Sequence, residues 1–181
     1  LGTHSSEPSS ERGGDNIYNG AVDNATGVAA ILELAEAFRK AKTPPKRSIL
    51  FLAVTLEESG LLGSKYYVSH PVLPLDKTVA VVNLDALAPI GKARDLIVVG
   101  KGSSQLEDLL QTVLDKQQRN AVGEDNPAAG YYFRSDHFNF AKAGVPALYI
   151  DSGTDLVDGG NGAVFERELR LFSSMSATIG A

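Results

Sequence analysis

The sequence predicts an α/β domain whose largely parallel sheet is covered by helices on both faces. Three observations carry that prediction. Apolar runs of strand length recur along the chain, as in Ser48–Thr55 (SILFLAVT), Thr78–Asp85 (TVAVVNLD) and Val145–Asp151 (VPALYID). Continuous runs of this kind belong to strands buried on both sides. Segments with the 3.6-residue apolar period of a helix alternate with them. The composition is that of a globular chain, with 43% apolar and 22% charged residues, 18 Gly and 8 Pro in 181 positions. Disordered, collagen-like and fibrous classes are thereby excluded. A single domain over residues 1–181 buries about 70% of its unfolded-state surface and needs no staple.

Each element follows in chain order. Residues 3–20, rich in Ser, Gly, Glu and Asn, read as a surface loop. Asn24-Ala25-Thr26-Gly27 opens a helix whose apolar side is Val28, Ile31, Leu32, Ala35 and Phe38, and Pro44-Pro45 stops it. Ser48–Thr55 is then a buried strand, and Gly60–Ser69 a short helix ended by Pro71. Thr78–Asp85 and Asp95–Val99 (DLIVV) are the next strands. Ser103–Gln118 is amphipathic through Leu106, Leu109, Leu110, Val113 and Leu114, hence helical. The preceding Gly100-Lys101-Gly102-Ser103 lacks phosphate-loop spacing and reads as a strand-to-helix turn with Ser103 near the cap. Asp136–Ala143 is a helix, Val145–Asp151 a strand, and Phe165–Met175 a terminal helix.

Charge and residue usage exclude several functions. Lys and Arg number 17 against 22 Asp and Glu, a net charge of −5, so no general basic field serves nucleic acid or anionic lipid. Without cysteine there is no disulfide, thiolate nucleophile or cysteine metal site. The longest apolar stretch, Ile49 to Leu56, falls far short of the ~20 residues of a membrane span. The start, Leu1-Gly2-Thr3-His4, has neither an initiator Met nor a signal pattern and reads as a mature or truncated start. Ser59 and Ser135 lie in no G-x-S-x-G elbow.

The acidic residues fall where such a sheet displays chemistry. The Ser48–Thr55 strand runs into Leu56-Glu57-Glu58-Ser59-Gly60, the next strand ends in Asp85, and Asp23 stands just before the first helix. Ligands of open α/β sheets bind beyond the carboxyl ends of the strands, so Asp23, Glu57, Glu58 and Asp85 are expected on one rim. Carboxylates so crowded repel and raise one another's pKa unless a cation balances them. Either each is a solvated helix-start or loop charge, or together they form an acidic metal site with an adjacent Glu as base.

Four ordered segments carry a resemblance. They are Asn19-Gly20-Ala21-Val22-Asp23-Asn24-Ala25-Thr26-Gly27, Glu57-Glu58-Ser59-Gly60-Leu61-Leu62-Gly63-Ser64, Asn83-Leu84-Asp85, and Ser135-Asp136-His137 with Ala143-Gly144-Val145-Pro146-Ala147. Together they resemble the N-G-A-x-D-N-x-[ST]-G, E-E-x-G-L-x-G-S, N-x-D and S-D-H…A-G-x-P-A segments of the co-catalytic di-zinc aminopeptidases, peptidase clan MH. The resemblance implies a three-layer α/β sandwich with a mostly parallel, mixed central sheet flanked by helices, here missing its first strands. It implies two zinc ions and hydrolysis of the N-terminal residue of a peptide. By the same resemblance Asp23 bridges both metals, Glu58 binds one, Asp85 binds the other, and Glu57 is the general base. Arg134, Ser135, Asp136 and His137, with Tyr131-Tyr132-Phe133 before them, are expected near the substrate pocket. Missing first strands would leave a sheet edge open to self-association, and relatives of this kind are often exported, implying a periplasmic or secreted parent.

The chain departs from that pattern at both histidine ligands. The first lies upstream in an H-x-D segment. Leu1-Gly2 resembles that segment's tail, and His4 is the stand-in, with Ser6 where the pattern has Asp. The second belongs to a Y-H-x-x-x-D segment, and residues 152–181 contain no His. His137 is expected to buttress the fold locally and His70 to lie on the surface. The remaining pairs, Asp23 with Glu58 and Asp23 with Asp85, suit a hard divalent cation such as magnesium or calcium better than zinc, whose shells draw on nitrogen or sulfur. Three readings follow: an exopeptidase, a non-catalytic binding or assembly domain, and a glutaminyl cyclase with a single zinc. Retention of Asp85 disfavours the last.

Overall fold

The protein, described by a computed structural model, is seen over residues 20–87, 89–160 and 167. Its first helix, α1 (Ala25–Lys40), begins at Asn24, whose side chain accepts from the Gly27 N–H at 3.0 Å. An Asn at this position satisfies a donor that the helix start leaves open. Arg39 and Lys40 occupy the last turn, where positive charge complements the helix dipole. Next comes α2 (Leu62–Ser69), which ends at His70 ahead of Pro71. Two strands follow, β1 (Val81–Leu84) and β2 (Asp95–Val99), and then α3 (Leu106–Lys116) and β3 (Asn120–Gly123). The chain turns through α4 (His137–Lys142) into β4 (Ala147–Ser152). The turn before α3 is held by Glu107, whose carboxylate accepts from the Gly102 and Ser104 N–H groups.

The four strands form one sheet in the order β1-β4-β2-β3. β1 runs parallel to β4, with Asn83 opposite Tyr149 and Leu84 opposite Ile150. β2 runs parallel to β3 and antiparallel to β4, with Val98 opposite Ile150. The sheet is therefore mixed, as expected. Helices α2 and α4 pack on each other, α4 on β1 and β4, and α3 on β3 and β4, giving a sheet flanked by helices in the three-layer α/β manner. Val98, Val99, Ala147 and Leu148 are buried in the sheet. Tyr67, Phe140 and Val145 form a cluster beneath α2, with Val81 of β1 packed against it. The strand β3 escaped the sequence reading because only Ala121 and Val122 of its four residues are apolar.

One expected strand is absent. Residues 48–55 make no ladder with any described strand, and Ile49, Leu50 and Leu52 are 41%, 49% and 37% exposed. An apolar run reports that a segment needs cover, and the cover must come from other residues. Here β1 has only β4 beside it among the described residues. The run instead meets α1 through Phe38 and Phe51, with ring centroids 6.3 Å apart. The other elements moved only at their ends. The Thr78–Asp85 strand shortens to Val81–Leu84, the Ser103–Gln118 helix to Leu106–Lys116, and the last strand shifts to Ala147–Ser152.

Among the described residues no helix is long and apolar enough to cross a membrane. The expected surface loop over residues 3–20, with His4 and Asn19, lies outside the described residues except for Gly20. The terminal helix expected over Phe165–Met175 lies outside them too, apart from Arg167.

Candidate active site

Two ties and one tight turn bring the acidic segments towards each other. Asn24 is the first tie. Its Oδ1 accepts from the Ala86 N–H at 3.2 Å as well as from Gly27, and its Nδ2 donates to the Leu84 carbonyl at 3.0 Å. The start of α1 is thus fastened to the end of β1, with Asp23 and Asp85 each one residue from the joint. Gly27 permits the approach, since a Cβ there would lie 2.7 Å from the Leu84 carbonyl oxygen. Ser135 is the second tie. It accepts from Asn83 Nδ2 at 2.8 Å and donates to Asp85 Oδ2 at 2.7 Å, so the segment before α4 orients the Asp85 carboxylate. The turn carries the paired glutamates. Gly60 and Leu61 donate to the Glu57 carbonyl, and Gly63 donates to the Thr55 carbonyl at 3.0 Å.

Backbone strain marks the same places. Leu56 and Leu61, flanking the glutamates, have φ of 57° and 59°, and Ala86, after Asp85, has φ of 49°. Left-handed conformations at residues with a Cβ cost about 1 kcal/mol or more each. The surrounding hydrogen bonds hold them.

The carboxyls act on each other. Burial and, after it, the charges of Asp85, Glu58, Asp136 and Asp23 together push Glu57 up to about 8. Burial also raises Asp85, with Asp23 adding to the rise, while hydrogen bonds from Ser135 and the Ala86 N–H oppose it. Asp136 is raised by burial and by Asp85, against a hydrogen bond from Ser64. Asp23, Glu58, Asp85 and Asp136 therefore each lie within electrostatic reach of Glu57.

The other expected site residues divide. Ser135 is buried and bonded to Asp85. Arg134 is exposed, its guanidinium 5.7 Å from the centre of the Tyr131 ring. His137 is fully buried between Tyr132 and Tyr149, ring centroids 4.8 and 4.9 Å away. Neither of its ring nitrogens has a hydrogen-bond partner among the described residues, and burial lowers its pKa to about 4. His70 is exposed and stacks on Tyr66. The sequence reading assigned no role to Asn24, Asn83, Ser64 or Tyr149. Alternation along β4 could have flagged Tyr149, since Tyr149 and Asp151 share a face opposite Leu148 and Ile150.

The profile of peptidase family M28 matches residues 4–167. The chain belongs to peptidase family M28. Within the family it is 33% identical over 144 residues to leupeptin-inactivating enzyme 1 of Streptomyces exfoliatus, covering 78% of this chain and 31% of that protein. It is 32% identical over 146 residues to aminopeptidase YwaD of Bacillus subtilis, covering 77% and 30%. The chain thus spans about a third of the length of these M28 relatives. Among solved structures it resembles a zinc aminopeptidase from Bacillus subtilis with a TM-score of 0.59 and 28% identity, over 74% of this chain and 32% of that one.

The M28 neighbours suggest zinc, and the donors can be tested against it. Among the described residues, no group of three or more His, Asp or Glu stands close enough together to hold a metal ion. Burial and the neighbouring carboxylates together raise Glu57 to about 8, and a divalent cation would balance the negative charge gathered there. Zinc shells also draw on nitrogen, and neither described histidine supplies it: His70 is on the surface and His137 is enclosed by aromatic rings. The described residues do not by themselves complete a metal shell, least of all one for zinc.

Proposed function

We propose that the chain acts as a metal-dependent aminopeptidase-type hydrolase, removing N-terminal residues from peptides, with Glu57 as general base. The observation that carries this reading is Glu57 itself. Its carboxyl is half-buried, with Asp23, Glu58, Asp85 and Asp136 near enough to act on its charge, the setting in which a carboxylate beside a bound cation serves as base. Asp23 with Glu58 would hold one cation and Asp23 with Asp85 another, ions that when bound would polarise a carbonyl and make water more acidic. Glu57 takes the proton of the attacking water and returns it to the departing amine. Asn83 and Ser135 keep Asp85 in one orientation, and Asn24 keeps Asp23 and Asp85 side by side. Arg134 and Asp136 would border the space a peptide enters, with the buried Ser135 and His137 behind them.

Glu57→Gln, nearly the same size, tests the assignment. The rate of hydrolysis of an aminoacyl p-nitroanilide should fall by about 10²–10⁴-fold with unchanged far-ultraviolet dichroism. Retention of the rate would remove Glu57 as base. A wild-type chain without any such activity, in zinc or in magnesium, would favour the binding or assembly domain instead.

A further inference from the structure

A cavity of about 490 Å³ opens at the end of β4, and the peptidase chemistry makes no use of it. Its volume is that of a small-ligand site. Asp23, Glu57, Glu58 and Asp85 are not among the residues that line it, and the register shows why. Leu96 lies opposite Ser152 and Val98 opposite Ile150, so Leu96, Ile150 and Ser152 share one face of the sheet. Asn83 and Tyr149 lie opposite each other on the other face, where the Asn83 amide reaches Ser135. The cavity is thus on the α3 side, and Gln117 at the end of α3 borders it. Its floor is apolar, from Leu87, Leu96 and Ile150, and its charged walls are Lys92, Arg119 and Asp151.

Arg119 is the group that points to a ligand. It is half-buried, and a guanidinium carries five N–H donors. Among the described residues its side chain makes one hydrogen bond, from Nη2 to the Asp95 carbonyl at 2.6 Å. Its Nε is sealed from water without a partner, and no described carboxylate stands within ion-pair distance of it. A half-buried cation without a counter-charge is costly.

We propose that this cavity binds the α-carboxylate end of an apolar amino acid or peptide. The carboxylate pairs with Arg119, with Lys92 beside it, and the side chain lies on Leu87, Leu96 and Ile150. A carboxylate matches the planar fork of a guanidinium and supplies the counter-charge that Arg119 lacks. The floor removes an aliphatic side chain from water. With two cations against one acid, the walls suit a singly charged anion better than a phosphate. Glu57 takes no part in this binding, so the site stands apart from the peptidase reading.

Titration of the chelator-treated chain with L-leucine, leucinamide and N-acetyl-leucine, followed in amide NMR spectra, tests the proposal. Leucine should bind about 10-fold or more tightly than leucinamide, which keeps the side chain and ammonium and lacks the carboxylate. Shifts should centre on Leu96, Arg119 and Gly153 rather than on Glu57 and Asp85. N-acetyl-leucine imitates the last residue of a peptide. Tighter binding than leucine assigns the site to peptide ends, and weaker binding assigns it to free amino acids, with Asp151 facing the ammonium. Arg119→Gln should weaken the tighter ligand about 10-fold. Because Arg119 also holds the Asp95 carbonyl, Lys92→Glu is the second variant. The Lys92 side chain is exposed and makes no hydrogen bond among the described residues, and its reversal should cost about 3–10-fold in affinity. Glu57→Gln should bind as the wild type does. Absence of binding, equal affinity for leucinamide, or an affinity that falls with Glu57→Gln and not with Lys92→Glu overturns the site. Carboxylate-dependent binding in a chain that hydrolyses nothing keeps the site and removes the peptidase reading.

Discussion

Residues 20–60 and residues 81–153 are equally rich in apolar runs, and they meet opposite fates. In the second region Val98, Val99, Ala147 and Leu148 are buried in a sheet with paired neighbours, and α4 covers β1 and β4. In the first, Leu32, Leu34 and Phe38 of α1 and Ile49, Leu50 and Leu52 beyond it are all exposed. Hydrophobic side chains stabilise only where other atoms remove them from water, at about 25 cal/mol per Å². The same kind of sequence therefore anchors one region and leaves the other uncovered. Asn24 joins the two, so the rim stands where a well-packed region meets a loosely held one.

Paired substitutions should expose that contrast most strongly. Leu148→Ala, in the middle of the sheet, should cost about 3–4 kcal/mol in urea unfolding. Leu50→Ala should change stability by less than about 0.5 kcal/mol. Similar losses from both would mean that residues 48–55 are covered in solution, and the contrast would fall.

A slightly smaller effect comes from pH. His137 has a pKa of about 4 in the folded protein against an ordinary value of about 6.5. As pH falls through that window the unfolded chain binds a proton that the folded one refuses. His137 therefore destabilises the fold progressively from about pH 6.5 down to about 4, by about 3 kcal/mol in all. Glu57, raised to about 8, contributes in the opposite sense, because the folded protein holds its proton more tightly, so the total slope mixes both. The difference between wild type and His137→Phe isolates the histidine. Chemical denaturation at pH 7 and pH 4.5 should show the variant gaining on the wild type at the lower pH. A constant difference would place His137 in contact with water.

Smaller again is the joint itself. Gly27→Ala forces a Cβ against the Leu84 carbonyl and the Asn24 side chain and should cost about 2 kcal/mol. It should also lower peptidase activity by more than the same loss of stability placed at Leu148. Equal activity in the two variants, compared at equal folded fraction, would show that the rim does not depend on the joint.

Much of this arrangement could be read from residue order, because local signals coincided with what the fold supplied. Asn24 before Ala25-Thr26-Gly27 gave a helix start, and that same side chain is the N-cap. DLIVV gave a strand whose bounds match β2. The reading of SILFLAVT failed because burial is a property of neighbours, and none of the described strands lies beside it. The β3 strand failed for the converse reason: tertiary pairing with β2 made a strand from Asn120-Ala121-Val122-Gly123, which has almost no apolar period. At the rim, Glu57, Asp85 and Asp23 were legible as charges at element ends. Tyr149 was legible only as one face of an alternating strand; its place opposite Asn83 comes from a register with residues more than sixty positions earlier.

That register also sets a timetable. One of the sheet's two inner strands, β4, is the last of the described strands to be synthesised, and β1 has no other partner among them. Val81 must wait for Ala147, and at ~5–20 residues per second the interval on the ribosome is on the order of 3–13 s. Before β4 appears, β2 has only β3 to pair with among the described strands, while β1 emerges as an unsatisfied edge of the kind that invites wrong partners. Nothing in the parallel β1–β4 pair is local, so its formation belongs to the slow, non-local class of folding events. Among the described strands the nascent chain is most vulnerable between β1 and β4, and interception by a chaperone should be most frequent there.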